Sequence, residues 1–295
     1  MTPTAEHTGG RRTPWTDHPR VVALRQRWVV VDVVVGTLAG YRRHRTARNA
    51  AVVSYYGFIS AFPLYLVFIT VLGIVLRDRP EWEEDIIDST LINLPIVGGQ
   101  LQTDPMSLGG SHWVALVGLV TAIWAGMKAF VAIHAGIDDT AEIDIDERVN
   151  AAVVRGHALV AIAIIGVGLV TTSVLTTIVA TDLLRGHHEA IAIVVSAIVN
   201  MGIVAFTYKF LCSQRRTLRE VWAGALWSGL AFAVLQVLSS TIIGRAIVNA
   251  SPVYGSFATV IALLAWMSLH AHAAFFGDEL NRELGQRDRS SRTTS

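Results

Sequence analysis

The sequence predicts an all-α polytopic membrane protein, a bundle of six membrane-spanning helices preceded by a cytoplasmic interfacial helix. Three observations support this class. Apolar residues fill 52% of the 295 positions, charged residues fill only 16%, and six long apolar runs are spaced along the chain. A soluble domain carries about 25% charged residues, and a spanning helix needs about 20 mostly apolar residues. These features exclude an ordinary soluble domain.

The six predicted spans lie between residues 50 and 284, which we treat as one membrane domain. In lipid a spanning segment must pair its own backbone N–H and C=O groups, so each span is predicted to be helical. The link before residue 254 is short, which predicts that spans five and six form an antiparallel hairpin. The approximate span bounds are 51–76, 112–134, 158–181, 190–211, 221–243 and 254–276.

The segments outside the membrane domain differ in character. Residues 1–19 form a polar tail that is predicted to be disordered, and residues 285–295 form a polar cytoplasmic tail. Residues 20–49 combine a short apolar block with flanking arginines. This pattern predicts one or two helices on the cytoplasmic leaflet, whose arginines contact anionic lipids. The alternative is a soluble helix packed under the bundle.

Lysine and arginine residues are distributed asymmetrically among the loops. Eighteen lie on the side that includes both termini, and four lie on the other side. Because basic loops stay in the cytoplasm, both termini are predicted to be cytoplasmic. The acidic stretch from Gly136 to Asn150 is predicted to be a solvated cytoplasmic loop, and residues 77–111 are predicted to include a short amphipathic helix at the outer face. Tyr208 and Trp222 are predicted to anchor inner span ends in the headgroup zone.

Several polar residues are predicted to lie within the spans, where each is costly and therefore informative. Lys128 could line an inner cavity or extend to the interface. Asn200 and Gln236 are predicted to hydrogen-bond between helices, which is the commoner use of such amides. His270 and His272 are two positions apart, about 200° around a helix, so they cannot hold one metal together.

Two acidic residues and a proline complete the candidate positions. Asp278 and Glu279 fall at the inner end of span six, where they could pair with Arg282 or with N-terminal arginines. Pro63 interrupts the apolar run of span one and leaves the carbonyl of Ile59 without its helical partner. We expect the hydroxyl of Ser60, a tyrosine hydroxyl or a neighbouring span to satisfy that carbonyl.

Two motifs at opposite ends of the membrane domain resemble the YihY/BrkB family of bacterial inner-membrane proteins. The stretch AAVVSYYGFISAFPL begins at Ala50, and GDELN ends at Asn281. The family-motif and cavity candidates are Tyr55, Tyr56, Ser60, Pro63, Lys128, Asn200, Tyr208, Gln236, Tyr254, Gly255, Trp266, Gly277, Glu279 and Asn281. The resemblance implies six spans with cytoplasmic termini and a role in envelope integrity. It also implies a lipid or lipid-precursor transporter or flippase, without a settled biochemical activity.

The sequence favours a membrane protein that is not an enzyme. It contains none of the common nucleophile, metallopeptidase or phosphate-loop motifs, and its single cysteine excludes an internal disulfide. The family was once labelled as a ribonuclease, an activity that we disfavour because no cytoplasmic domain large enough for RNA is present. We expect membrane lipids as partners, no nucleic acid and no cofactor. The alternative function is a non-transporting scaffold for envelope assembly, and the oligomeric state is open.

Overall fold

A computed structural model describes residues 15–75, 112–163, 188–238 and 255–293. Regular structure within these ranges is helical, as predicted, with short 3-10 turns at Trp15–Asp17 and Ile145–Glu147. The α-helices are α1 Pro19–Arg27, α2 Val29–Arg43, α3 Thr46–Val75, α4 His112–Thr140, α5 Ala151–Ala163, α6 His188–Phe210, α7 Leu218–Leu238 and α8 Gly255–Thr293. The predicted outer-loop helix, most of span three and Tyr254 lie outside the described residues.

Three described helices contain a segment long and apolar enough to cross a membrane, at Leu119–Thr140, Leu218–Gln236 and Val260–Ser291. Two shorter apolar helices occupy Ala151–Ala163 and Ala197–Phe210. These apolar helices fit a membrane protein. The count of six spans and the placement of both termini stay predictions.

Helix α3 continues through Pro63 without ending, and it extends for 30 residues. A proline inside a helix removes one backbone hydrogen bond, yet membrane helices tolerate it where neighbouring groups compensate. The hydroxyl of Ser60 donates to the carbonyl of Gly57 at 2.9 Å. The interpretation of Ser60 as a partner for Ile59 is therefore wrong, because a serine hydroxyl has one proton to donate.

Helix α2 packs antiparallel against the C-terminal half of α8 in a regular register. The contact pairs advance by four residues on each helix, from Asp32 with Arg287, to Gly36 with Glu283, to Gly40 with Glu279. A side chain at Gly36 or Gly40 would overlap the opposing carboxylate, so the glycines let the two helices approach. The basic segment therefore contains two helices, of which α2 is docked on α8. Its contact with a lipid leaflet stays a prediction.

Helices α7 and α8 pack as an antiparallel pair, which confirms the predicted hairpin arrangement. Gly224 on α7 lies against Gly277 on α8, and a Cβ atom at Gly224 would overlap the Gly277 carbonyl oxygen. One turn further along α7, the hydroxyl of Ser228 donates to the carbonyl of Ala273 at 3.1 Å. Small residues at helix crossings are typical of membrane proteins, because they let backbones approach closely.

Tyr208 of α6 joins this crossing and is buried, with 2% of its surface exposed. Its hydroxyl donates to the carbonyl of Ala274 and lies 2.9 Å from the Ser228 hydroxyl. The prediction that Tyr208 anchors a span end in the headgroup zone is therefore wrong. Its ring belongs to a buried apolar cluster of the described residues, together with residues such as Ile137, Leu211 and Phe275, so this part of the core lies at this end of the helices.

Candidate functional site

Charged side chains, most of them buried, lie where the ends of α2 and α4 and the middle of α8 meet the α6–α7 link, with Glu142 as the exposed member. We call this set the charged cluster, and its members are His44, Asp138, Glu142, Arg216, Asp278, Glu279 and Arg282. The side chains of Asp138, Asp278 and Glu279 are almost completely buried, with 0%, 0% and 1% of their surface exposed. Removing a charge from water is costly unless it is paired and hydrogen-bonded, so the partners of these groups decide whether the cluster is stable.

Glu279 connects the N-terminal segment to α8. Its Oε1 accepts a hydrogen bond from the Thr46 hydroxyl at 2.9 Å and lies 2.8 Å from Nδ1 of His44. The absence of a side chain at Gly40 makes room for its other oxygen, because a Cβ atom there would lie 2.6 Å from Oε2. The prediction that Glu279 pairs with Arg282 or an N-terminal arginine is wrong. Its partners at the junction between α2 and α3 are His44 and Thr46 instead.

Asp138 connects α4 to the link that follows α6. Its carboxylate accepts hydrogen bonds from the Ser213 backbone N–H at 2.9 Å and from the Ser213 hydroxyl at 2.6 Å. Nδ1 of His134, one turn earlier on α4, lies 3.1 Å from the same carboxylate. These bonds hold Asp138 inside a helix that continues to Thr140, so the predicted solvated acidic loop is wrong for its first residues.

Asp278 forms an ion pair with Arg216 of the α6–α7 link, at a site from which water is largely excluded. The predicted pairing of Asp278 with Arg282 or an N-terminal arginine is therefore wrong. One oxygen of Asp278 is bound by the guanidinium, and the other has no hydrogen-bond partner among the described residues. Asp278 and Glu279 are consecutive, yet Asp278 binds the α6–α7 link and Glu279 binds the N-terminal segment, because successive helix positions face directions about 100° apart.

Glu142 lies at the solvent-exposed side of the charged cluster, where it pairs with three basic side chains. Its carboxylate lies 2.5 Å from Arg43, 2.8 Å from Arg282 and 3.2 Å from Nε2 of His44. Burial acts to raise the pKa of Glu142, but the hydrogen bonds from His44 and Arg282 and the charges of Arg282 and Arg43 outweigh it and lower that pKa. The backbone of Glu142 has a φ of 56°, a left-handed conformation that directs the chain back after α4.

The docking of α2 is predicted to weaken as pH rises, because of His44. The hydrogen bond to Glu279 raises the pKa of His44, burial opposes this, and Glu142 raises it further while Arg282 lowers it. Stabilisation by the protonated ring is therefore complete below the ordinary histidine pKa of about 6.5. It is lost as pH rises through the raised value. We expect amide hydrogen exchange in α2, corrected for intrinsic rates, to accelerate several-fold across that window.

The His44→Gln variant is the control for this pH dependence, since it keeps a hydrogen-bonding side chain without titrating. Its α2 exchange rates are expected to be independent of pH over the same window. The nearby carboxyls of Asp32 and Glu142 have lowered pKa values, so they lose their charge only at more acidic pH. Equal pH profiles in the wild type and the variant would contradict the role of His44.

The structure brings three of the predicted candidates to the crossing of α7 and α8. Gly277 lies beside the hydroxyl of Tyr208, and the side-chain oxygen of Asn281 accepts from the Gly224 backbone N–H at 2.6 Å. Glu279, in the same GDELN motif, binds Thr46 and lies close to His44 instead. This motif fastens α8 to the helices around it.

Other candidates lie away from the charged cluster. Asn200 donates to Gln236 across α6 and α7 at 3.5 Å, the predicted interhelical contact. Lys128 is exposed, with its amine 5.9 Å from the centre of the Trp124 ring. The side chain of Pro63 is outside the described residues. Tyr55 is exposed and Tyr56 packs edge-on against it.

The two histidines of α8 make the hydrogen bonds expected of packed residues within a helix. Nδ1 of His270 lies 2.9 Å from the Trp266 carbonyl, and Nδ1 of His272 lies 2.7 Å from the Ser268 carbonyl. The ring of Trp266 packs against His270, with the ring centres 4.1 Å apart. Gly255 is the first residue of the same helix. Within the ranges that the structure describes, no three His, Cys, Asp or Glu residues form a group that could hold a metal ion.

Sequence reasoning missed His44, Asp138 and Arg216 as members of a site. His44 and Arg216 lie in basic stretches that look like ordinary cytoplasmic charge. Asp138 is one of six acidic residues in a short stretch. The available signal was the position of Asp138 one turn after His134, at the end of an apolar run. That spacing places both side chains on one helix face.

A cavity of about 710 Å³ opens beside the charged cluster, between the α6–α7 link, the start of α7 and the end of α8. A second cavity of about 410 Å³ lies between the α2–α3 junction and the segment after α4. Both are lined by several arginines, so this end of the helices is rich in positive charge.

The described helices and the charged cluster define a helical membrane protein with ionised groups buried at one end of its apolar helices. The sequence model of the family described as virulence factor BrkB matches residues 37–295, and the chain belongs to that family. It is 23% identical over 278 residues to YfkH of Bacillus subtilis (strain 168), a protein named as ribonuclease-like. That alignment covers 84% of this chain and 93% of YfkH. No solved structure matches the chain.

Proposed function

We propose that the chain is a multi-pass protein of the bacterial inner membrane that transports or flips a lipid or lipid-like substrate. In this proposal both termini are cytoplasmic, and the protein contributes to envelope integrity. The name of the relative YfkH describes that protein as ribonuclease-like. RNA cleavage is not part of the function that we propose here.

The observation that carries this proposal is the burial of three carboxylates at the end of the apolar helices. Asp138, Asp278 and Glu279 are costly to bury, and ionisable groups within membrane-spanning helices typically mark substrate or ion pathways. Polar atoms of His134 and Asn281, and one oxygen each of Asp278 and Glu279, have no partner among the described residues. The helix ends therefore offer polar groups that a lipid headgroup requires when it enters the bundle.

Lipid scrambling by the reconstituted protein tests this proposal. We expect liposomes that contain the full-length protein to exchange a fluorescent phospholipid between leaflets faster than protein-free liposomes. We expect Asp138→Asn to slow the exchange about tenfold, equivalent to about 1.4 kcal/mol in the barrier, because it removes a buried charge while keeping a similar shape. The matched control is Asp144→Asn, an exposed acid after α4.

Three outcomes decide the scrambling experiment. A rate equal to that of protein-free liposomes would reject the transport proposal. Equal slowing by Asp138→Asn and Asp144→Asn would reject the role of the buried charge. A slow Asp138→Asn variant with an unchanged unfolding temperature would support that role, because loss of folded protein could not explain the result.

A second candidate function is a non-transporting scaffold for envelope assembly. The close contact between Gly224 and Gly277 favours it, since backbone packing of this kind makes α7 and α8 a rigid pair. Cross-linking in cells distinguishes the two functions when it is combined with the scrambling assay. Capture of a defined set of envelope proteins without lipid exchange would favour the scaffold.

A further inference from the structure

We propose that the larger cavity is a binding site for one anionic phospholipid, with the phosphate among its arginines and an acyl chain along α7. This inference rests on the proposed membrane function and names the substrate class that the site would take. We call the site the α7 lipid site, and it consists of the arginine-lined cavity and the apolar stripe of α7 that leads away from it.

The lining of the cavity is strongly basic. Arg216, Arg282 and Arg287 bind Asp278, Glu142 and Asp32 respectively. The exposed side chains of Arg215 and Arg219 have no acidic partner among the described residues. Only three acidic residues line the same space. The lining arginines are Arg215, Arg216, Arg219, Arg282, Arg287 and Arg289, and the acids are Glu142, Glu220 and Asp288.

A buried amide in the cavity wall adds a donor to this positive charge. Asn281 is 6% exposed, and its oxygen accepts a hydrogen bond from the Gly224 backbone N–H. That bond identifies which amide atom is the oxygen, so the other atom, Nδ2, is a hydrogen-bond donor. Nδ2 has no partner among the described residues. A buried donor without an acceptor destabilises the protein, and an oxygen of a bound phosphate that reached it would satisfy it.

The apolar part of the site is a stripe of exposed side chains on α7. The stripe begins at the cavity, because Trp222 belongs to both, with 53% of its surface exposed. Successive positions four apart are neighbours on a helix surface but advance about 40° around it, so the stripe winds along α7. Its first and last residues are separated by about 24 Å of helix, most of the hydrocarbon thickness of a bilayer. The stripe residues are Leu218, Trp222, Leu226, Leu230 and Val234.

The basic cavity and the apolar stripe together favour a phospholipid over a free anion. Guanidinium groups bind phosphate oxygens strongly, often through two parallel hydrogen bonds, and this would serve a free phosphate equally well. A free phosphate makes no use of an apolar stripe that meets the cavity at Trp222. A phospholipid uses both parts at once, and the tryptophan at their junction has the amphipathic character typical of the headgroup zone.

Native mass spectrometry of the full-length protein in an uncharged detergent tests the site. The probes are dioctanoyl phosphatidylglycerol, dioctanoyl phosphatidylcholine and inorganic phosphate. We expect one phosphatidylglycerol to bind at least tenfold more tightly than phosphatidylcholine. We expect Arg215→Glu with Arg219→Glu to abolish this preference, because the two unpaired cations become acids. The matched control is Arg27→Glu with Arg155→Glu, two exposed arginines outside both cavities, which should bind as the wild type does.

Each alternative outcome overturns the inference. Equal affinity for the two lipids would show that the cavity does not select negative charge. Equal losses in the two double variants would show a general effect of net charge. Inorganic phosphate that competes as tightly as phosphatidylglycerol would identify a site for a free anion. Scrambling that persists without selective binding would reject this site alone, and selective binding without scrambling would reject the transport proposal alone.

Discussion

The Arg216→Met variant is expected to lose about 3–5 kcal/mol of stability, because it leaves the Asp278 carboxylate buried without its positive partner. Only 14% of the Arg216 side chain is exposed, and the Asp278 side chain is fully buried. Water therefore cannot replace the guanidinium. Methionine retains much of the apolar stem of arginine, so the change isolates the charge. The measurement is the thermal unfolding midpoint of the purified protein in detergent, followed by intrinsic fluorescence.

Arg215→Met is the matched control for this charge deletion. Arg215 is the preceding residue, carries the same charge and is exposed, with no acidic partner among the described residues. Its replacement should leave the unfolding midpoint nearly unchanged, since surface substitutions away from special features usually change stability by about 0.5 kcal/mol or less. A midpoint for Arg216→Met equal to that of Arg215→Met would mean that the ion pair does not stabilise the fold.

Gly224→Ala is expected to destabilise the protein by about 1–3 kcal/mol or more, because overpacking forces the surrounding backbone to move. The added Cβ atom would overlap the carbonyl oxygen of Gly277, and it would lie 2.5 Å from Nδ2 of Asn281. A backbone oxygen cannot rotate away as a flexible side chain can, so α7 and α8 must separate. The unfolding midpoint and the yield of monodisperse protein report this separation.

Gly202→Ala is the matched control for the helix crossing. Gly202 lies inside α6, and a Cβ atom there would meet nothing within 4 Å. Alanine stabilises helix interiors over glycine by roughly 0.8–1 kcal/mol, so this variant should be neutral or slightly stabilised. If both alanine variants gave the same midpoint, the close contact of Gly224 and Gly277 would not limit stability.

Much of the fold follows from features that are local in the sequence. Apolar run length predicts helices over the described segments, and the short link before residue 254 predicts the antiparallel pair of α7 and α8. The interhelical contact between Asn200 and Gln236 also follows from chemistry alone, because an amide inside a membrane helix needs a partner. These predictions depend only on the lipid environment of each helix and on the hydrogen-bonding groups of its own residues.

The charged cluster could not be predicted because its partners are far apart in the chain. Glu279 binds Thr46 across 233 positions, and Asp138 binds Ser213 across 75. An aspartate or glutamate looks the same in the sequence whether its carboxylate is solvated or is buried against a donor from a distant part of the chain. Tyr208 shows the same limit, since its apolar ring and polar tip suit the headgroup zone and a helix crossing equally well.

The register between α2 and α8 has a consequence for biosynthesis. Ribosomes make α2 early, whereas the surface that receives its glycines belongs to the last helix described, which begins at Gly255. More than 200 residues must therefore be translated before α2 can dock. Docking of α2 is therefore a late event, and a chain truncated before α8 lacks the surface that α2 packs against.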